Sequence, residues 1–319
     1  GCCHLPMAVE PRAPVSLDAA HLAELRPRYP GRDFELEFVE EASAHQRFEF
    51  RFQTYSDQQG DFKTVTGTYY RTRRAPPGAR PPLIVVSPIL AGPVDDYLAS
   101  RFLSWQATKA GLSTFFLHQE TVILRPERDA VGLEAFLRES VRDNIKALDL
   151  FVELPEVDPS RLGSIGVSLG AIRGVVLLAC EKRLRANVLA LAGADLASMV
   201  RTSEESLVLR YLGGRAAREG MSREEVAAEI GRWLVSDPLH LAPAVETERV
   251  LLVLGRFDTN VPYENGLLLR RTLGEPETYI LPWGHYSSVL AAPWAAATAI
   301  RWLAARLEPR SPAARLGES

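Results

Sequence analysis

The chain has 319 residues, 46% of them hydrophobic and 24% charged, with a net charge of −3 at pH 7. This composition can bury a large core, and its slight acidity leaves no basic footprint for nucleic acid or an anionic membrane surface. It also lacks any run of ~18 apolar residues, which excludes a bilayer-crossing helix.

Residues 1–30 carry Pro6, Pro11, Pro14, Pro27 and Pro30 around one short helix-like patch, and read as a tether or strap. Gly1-Cys2-Cys3 resembles the end of a bacterial lipobox, whose cysteine carries lipid after signal cleavage. On that reading Cys2 or Cys3 is the one attachment to a membrane, and the protein is a cell-envelope lipoprotein. Otherwise it is secreted or cytoplasmic.

Residues 34–39, 48–54 and 64–70 then alternate apolar and polar side chains, the period-2 pattern of strands with one buried face. From residue 83 the pattern changes. Short, nearly continuous apolar runs at 83–86, 113–117, 162–167, 188–191, 250–254 and 278–281 suit parallel strands covered on both faces. Helical patterns fall between and after them at 95–110, 130–153, 169–183, 263–273 and 293–307, with Asp95 as an N-cap and Gly111 as a stop. This alternation predicts a mostly parallel, doubly wound α/β sheet.

The interval 196–248 breaks the alternation, because it is helical and carries no strand signal. Thr202-Ser203-Glu204-Glu205 and Ser222-Arg223-Glu224-Glu225 both fit a capping box, with Gly213-Gly214 between them. A small helical lid over the C-terminal edge of the sheet is expected here. The chain then divides into the strap, one domain at 31–308 with its insertion, and a tail at 309–319.

The chemistry centres on Gly166-Val167-Ser168-Leu169-Gly170, which follows an apolar strand and opens a helix. The glycines permit a tight turn that lifts the serine hydroxyl onto a helix N-terminus, where the dipole favours a developing oxyanion. A serine nucleophile needs a base, nearly always histidine. Of six histidines, His4, His21 and His45 precede the sheet core, His118 ends a strand and His240 lies in the insertion. His285 alone sits in a loop after the last strand, in Pro282-Trp283-Gly284-His285-Tyr286. The acid that orients it should follow a strand between the two, and Asp258 does so in Gly255-Arg256-Phe257-Asp258. Asp195, one strand earlier, is the second choice, with capping of the insertion as its bland role.

An oxyanion formed at Ser168 needs two backbone donors. Leu169 supplies one. The other should come from Ser87-Pro88-Ile89-Leu90, where Pro88 has no N–H and Ile89, then Leu90, is favoured. Leu90, Tyr211, Trp233, Trp283 and Tyr286 are candidates for the substrate pocket. Arg125 and Arg128 are weaker candidates for a substrate carboxylate. Cys180, in an apolar stretch, reads as an inert buried thiol. No Cys-x-x-Cys, His-Glu-x-x-His or Walker motif is present, so neither metal nor cofactor is implied.

Over residues 48–308 the chain resembles the α/β-hydrolase superfamily. The phrase Val157-Asp158-Pro159, Arg161-Leu162-Gly163 and Gly166-Val167-Ser168-Leu169-Gly170 is similar to that of dienelactone-hydrolase-like and prolyl-oligopeptidase-like esterases. Gly255, Asp258, Val261-Pro262 and Gly284-His285 resemble their acid and histidine segments. Two positions depart from the pattern: Ser87-Pro88 replaces the usual His-Gly oxyanion signature, and the nucleophile is serine where true dienelactone hydrolases have cysteine. The resemblance and the residues together imply acyl transfer to water with a carboxylic ester, a small molecule, as substrate. Peptidase, thioesterase and acyltransferase chemistry use the same machinery, and a non-catalytic binding protein on the same fold is the rival from another class.

Overall fold

The alternating segments near the N-terminus form three long strands, β1 (Arg32–Glu41), β2 (His45–Ser56) and β3 (Asp61–Thr72), paired antiparallel in sequence order. Their period of two turns Phe50, Phe52 and Val65 into the core, while Glu35, Glu49 and Arg51 stay outward. The computed structural model describes residues 19–90, 97–119 and 123–309. Cys2, Cys3, the expected N-cap Asp95 and the tail from residue 310 lie outside the described residues. Closer to the domain, just after the short helix α1 (Ala19–Glu24), Leu25 is buried and Arg26 donates to the Cys180 carbonyl, so the strap's end is fastened to the body.

The apolar runs form β4 (Leu83–Ser87), β5 (Ser113–Leu117), β6 (Leu162–Val167), β7 (Leu184–Ala190), β8 (Val250–Gly255) and β9 (Glu277–Leu281). They pair parallel, and among the described residues the sheet order is β1-β2-β3-β5-β4-β6-β7-β8-β9. Because both faces are covered, side chains of one strand feed two separate cores. Ile84, Val86, Ile165, Val188 and Val253 join α2 (Leu98–Lys109) and α10 (Ala292–Arg306). Leu83, Val85, Leu189 and Leu252 join α3 (Ala130–Val152), α4 (Leu169–Cys180) and α9 (Tyr263–Thr272) on the other face. Within α3, the N-cap Asp129 accepts from the Gly132 amide, as a first-turn donor requires.

β7 begins at Leu184, four residues ahead of the apolar run that marks it, because solvent-facing Arg185 interrupts the hydrophobic pattern. Leu191, assigned to that strand by sequence, lies just past it at φ 53°. Between β7 and β8 come α5 (Leu196–Thr202), α6 (Ser206–Glu219), α7 (Arg223–Trp233) and α8 (Pro238–Leu241), then two short 3-10 turns. The Ser222 capping box forms as expected, with Glu225 answering the Ser222 amide. The one at Thr202 does not. Thr202 ends α5, the Ser203 hydroxyl donates to the Asn260 carbonyl, and Glu205 caps α6 instead. Helix α6 runs through Gly213 and Gly214, and Gly214 packs closely against the loop at Pro126. Among the described residues, no helix is long and apolar enough to cross a membrane.

Candidate active site

β6 ends in a forced turn. Ser168 has φ 54° and ψ −124°, a conformation costing on the order of 1–3 kcal/mol in a non-glycine residue. The chain can bend this way because a Cβ on Gly166 would stand 2.5 Å from the Gly170 carbonyl oxygen, and one on Gly170 would stand 2.2 Å from that of Ser87. The turn thus requires glycine at both places and brings the loop after β4 against the start of α4. The Ser168 amide donates to the Ala190 carbonyl of β7 at 2.8 Å, which fastens the turn to its neighbour strand.

The loops after β8 and β9 meet this turn. Asp258 is buried, and its Oδ1 accepts from the Asn260 and Val261 amides at 3.0 and 2.9 Å. Its Oδ2 lies 2.7 Å from His285 Nδ1, and His285 Nε2 lies 3.0 Å from Ser168 Oγ. A carboxylate only accepts, so the geometry assigns the proton to Nδ1 and leaves Nε2 free to accept from Ser168. The two loops are sewn together by the Phe257 amide, which donates to the Trp283 carbonyl at 3.1 Å. Asp195 is not brought to the imidazole. It caps α5 by accepting from the Ser198 amide, and its own amide donates to Asp237.

Of the candidate oxyanion donors, Leu169 is the first residue of α4, so its N–H has no partner within the helix. Ile89 follows Pro88, whose carbonyl accepts from Arg173 Nη2 at 2.5 Å. No cis peptide bond occurs among the described residues, and a trans peptide sets its C=O and N–H in opposite directions. Arg173 therefore holds the Ile89 N–H pointing away from itself. Gln119 Nε2 holds the next peptide by donating to the Ile89 carbonyl at 2.6 Å. Sequence reasoning passed over Arg173. The signal was there: an arginine inside the otherwise apolar helix Leu169–Cys180 must find a buried acceptor. Burial pulls its guanidinium down to about 10, which leaves it charged at neutral pH.

Ser168, Leu169, His285, Ile89 and Leu90 all open on one cavity of about 740 Å³, and its walls are almost wholly apolar. Tyr211 and Tyr286 belong to this wall; Tyr211 is buried, with its hydroxyl donating to the Arg128 carbonyl. Two expected pocket residues do not reach it. Trp233, at the end of α7, is 54% exposed because it faces outward beside charged Arg215 and Glu229, away from the sheet edge. Trp283, half-buried, packs against the α2/α10 core and offers the acid loop only its carbonyl. Arg128 donates to the Ile123 carbonyl and closes its own loop. Among the described residues no group of three or more His, Cys, Asp or Glu side chains is placed to hold a metal ion.

Glu205 ties the helical insertion to both catalytic-side loops. It accepts from Tyr286 Oη at 2.5 Å and Asn260 Nδ2 at 2.6 Å. Burial pushes this carboxyl up, but the hydrogen bonds from Tyr286, Asn260, Leu207 and Ser206 outweigh it and hold the group below its ordinary value of 4.5. A lowered folded pKa means that the contact stabilises fully above that ordinary value and is lost as pH falls through the folded one. The thermal-stability gap between the wild type and Glu205→Gln is therefore expected to be constant above about pH 4.5 and to shrink below it. A gap that widens in acid, measured by melting curves across pH, would contradict this ion's role.

Residues 136–280 match the Prolyl oligopeptidase family, a span that includes Ser168 and Asp258 and ends before His285. No curated protein matches the chain at a significant level. Among solved structures, it is similar to a cold-adapted esterase from an Arctic intertidal metagenomic library, with 21% identity, a TM-score of 0.53, and coverage of 86% of this chain and 100% of that one. It is similar to the acetyl xylan esterase of Paenibacillus sp. R4 at 14% identity and a TM-score of 0.64, over 91% of this chain and 100% of the other. The acylaminoacyl peptidase of Pyrococcus horikoshii is similar at 15% identity and a TM-score of 0.61, over 85% of this chain and 44% of that one. At such identities the likeness establishes the fold. With the sheet order and the glycine-flanked serine between β6 and α4, it has one reading: the chain has the α/β-hydrolase fold.

Proposed function

We propose that the protein is a serine hydrolase that cleaves carboxylic esters through an acyl-enzyme. The observation that carries this reading is the unbroken run of hydrogen bonds from Asp258 through His285 to Ser168, opening on an apolar cavity. Ser168 Oγ attacks the ester carbonyl carbon as its proton passes to His285 Nε2. The carbonyl oxygen becomes an oxyanion held by the Ile89 and Leu169 N–H groups. Asp258 stays ionised and steadies the imidazolium, which then hands its proton to the departing alkoxide. Water repeats the sequence on the acyl-enzyme and releases the acid. No cofactor enters this scheme.

The cavity favours esters over peptides. A peptide chain brings N–H and C=O groups that need partners once buried, and these walls offer few. The helical insertion acts as a lid over the cavity, excluding water from the acyl-enzyme. Turnover of p-nitrophenyl esters, measured beside that of aminoacyl amides, tests the choice. Esters are expected to be preferred by a wide margin, and a preference for the amides would make the protein a peptidase.

Arg173 has a positioning role in this scheme. One oxyanion donor is worth about 10²–10³ in kcat. Arg173→Met, of similar bulk but unable to hold the Pro88 carbonyl, is expected to lose kcat toward that range with KM little changed. Arg173→Lys should recover part of the loss. A rise in KM at constant kcat, or a loss matched by the unfolded fraction in a thermal melt, would remove the role.

A further inference from the structure

The cavity is not a single pit beside the serine. It crosses the C-terminal edge of the sheet and reaches into both cores. On one side its walls are Phe102 of α2, Val188 of β7, and Ala296 and Ala299 of α10, which belong to or pack against the core between the sheet and those helices. On the other its walls are Phe136 of α3, Ile172 of α4, Met199 of α5 and Ile230 of α7, in the opposite core beneath the insertion. Ser168 stands on the ridge between them. The residues just before it, Ile165 and Val167, face the first arm, while Leu169 and Ile172 just after it face the second.

Each arm has a local cause. Along α10, Ala292, Ala295, Ala296 and Ala299 fall at helical spacing on the cavity side, so no side chain there fills the space over β7 and β8. The second arm lies between the sheet edge and the insertion that arches over it, whose Leu196, Met199, Val200, Tyr211 and Ile230 wall it. An ester bound at Ser168 has two substituents, the acyl chain and the alkoxy group, and they leave the carbonyl carbon in different directions. A nucleophile on a ridge between two apolar arms has one arm for each.

We infer that the physiological substrate is an ester apolar on both sides of its scissile bond, a fatty acyl chain esterified to a hydrophobic alcohol, with one group in the α2/α10 arm and the other beneath the insertion. This rests on the serine-hydrolase reading above. A sugar acetate or other ester with one polar side would leave an apolar arm facing polar groups, and those groups would lose their water without gaining partners. Val289, on the α10-side wall, is 67% exposed, so that arm opens to solvent and admits a chain longer than the cavity itself.

The test uses two homologous series with purified protein: p-nitrophenyl esters of lengthening acyl chain, and alkyl butyrates of lengthening alcohol. Both series are expected to rise in kcat/KM by about 3–4-fold per added methylene until the arm is filled, the fold-change for burying one CH₂. Ala296→Phe narrows the first arm and Val200→Phe the second. Each is expected to flatten one series by at least ~10-fold at its long end, and the two variants should flatten different series. A rise in only one wild-type series, or both variants flattening the same one, would overturn the two-arm assignment. Because the wild-type series stand alone, a variant that fails to fold does not rescue the inference. Absence of turnover on every ester, short p-nitrophenyl acetate included, would instead strike at the serine-hydrolase reading.

Discussion

Ser168→Ala is expected to remove ester hydrolysis almost entirely while leaving the protein folded. The hydroxyl oxygen forms the acyl bond, and no neighbouring group can replace it: His285 is held at Nδ1 by Asp258 and turns only Nε2 to the site. Removal of a triad serine from a serine protease costs on the order of 10⁶ in kcat, or about 8 kcal/mol of barrier. The residue left by such a change comes from binding and oxyanion stabilisation alone. Stability should move little. Alanine meets the same backbone strain at φ 54° that serine does, and the fold loses one side-chain hydrogen bond, worth about 0.5–1.5 kcal/mol. Ester turnover above about one thousandth of wild type, with any trace of wild-type contamination excluded, would mean that another residue is the nucleophile.

Asp258→Asn is expected to be nearly as damaging, for a reason specific to this site. Oδ1 of Asp258 accepts two backbone N–H groups, from Asn260 and Val261. An asparagine must keep its oxygen there, which turns its NH₂ toward His285 Nδ1. The imidazole then accepts at Nδ1 and carries its proton on Nε2, where it can no longer take one from Ser168. The imidazolium of the transition state also loses its counter-charge. In the serine-protease case this substitution costs ~10⁴ in kcat, about 5.5 kcal/mol. Asp195→Asn provides the contrast. That side chain caps α5, and asparagine caps a helix about as well as aspartate, so the change costs little stability and no chemistry. Measuring kcat for both variants on one activated ester, with melts as the folding control, decides between them. The reverse ranking would move the acid one strand earlier.

The fold was legible because its physics is local and repetitive. Strands buried on both faces read as continuous apolar runs, and the change from period two at residues 34–70 to such runs after residue 83 marks where the antiparallel edge meets the parallel sheet. The errors fall where a single side chain serves tertiary structure instead of its own element. Arg185 conceals the start of β7 by pointing to solvent. Thr202 matches a cap by its spacing to Glu205, yet it ends α5, and Ser203 beside it spends its hydroxyl on the distant Asn260 carbonyl.

The candidate site was legible in part for a different reason. Ser168, Asp258 and His285 each follow a strand, so their chain order alone brings them to one sheet edge, where the structure sets them within hydrogen-bonding reach. Pocket walls carry no such rule. Trp233 and Trp283 are large and near the site in sequence, but α7 turns the first outward and the β9 loop turns the second against the α2/α10 core. Neither orientation is encoded within a few residues. Arg173 escaped for the converse reason: its meaning depends on Pro88, 85 residues earlier, and a helix read alone shows only an odd charge. The two-armed cavity is likewise a product of long-range assembly, since α10 and the insertion come from opposite sides of the sheet.

The most direct test of Ser168 as an activated nucleophile is covalent labelling with a fluorophosphonate, followed by mass mapping of the modified peptide. The expected result is one label per chain on Ser168, lost in Ser168→Ala and strongly slowed in Asp258→Asn. Folded wild-type protein that takes no label, or that carries it on another residue with Ser168 free, would contradict it.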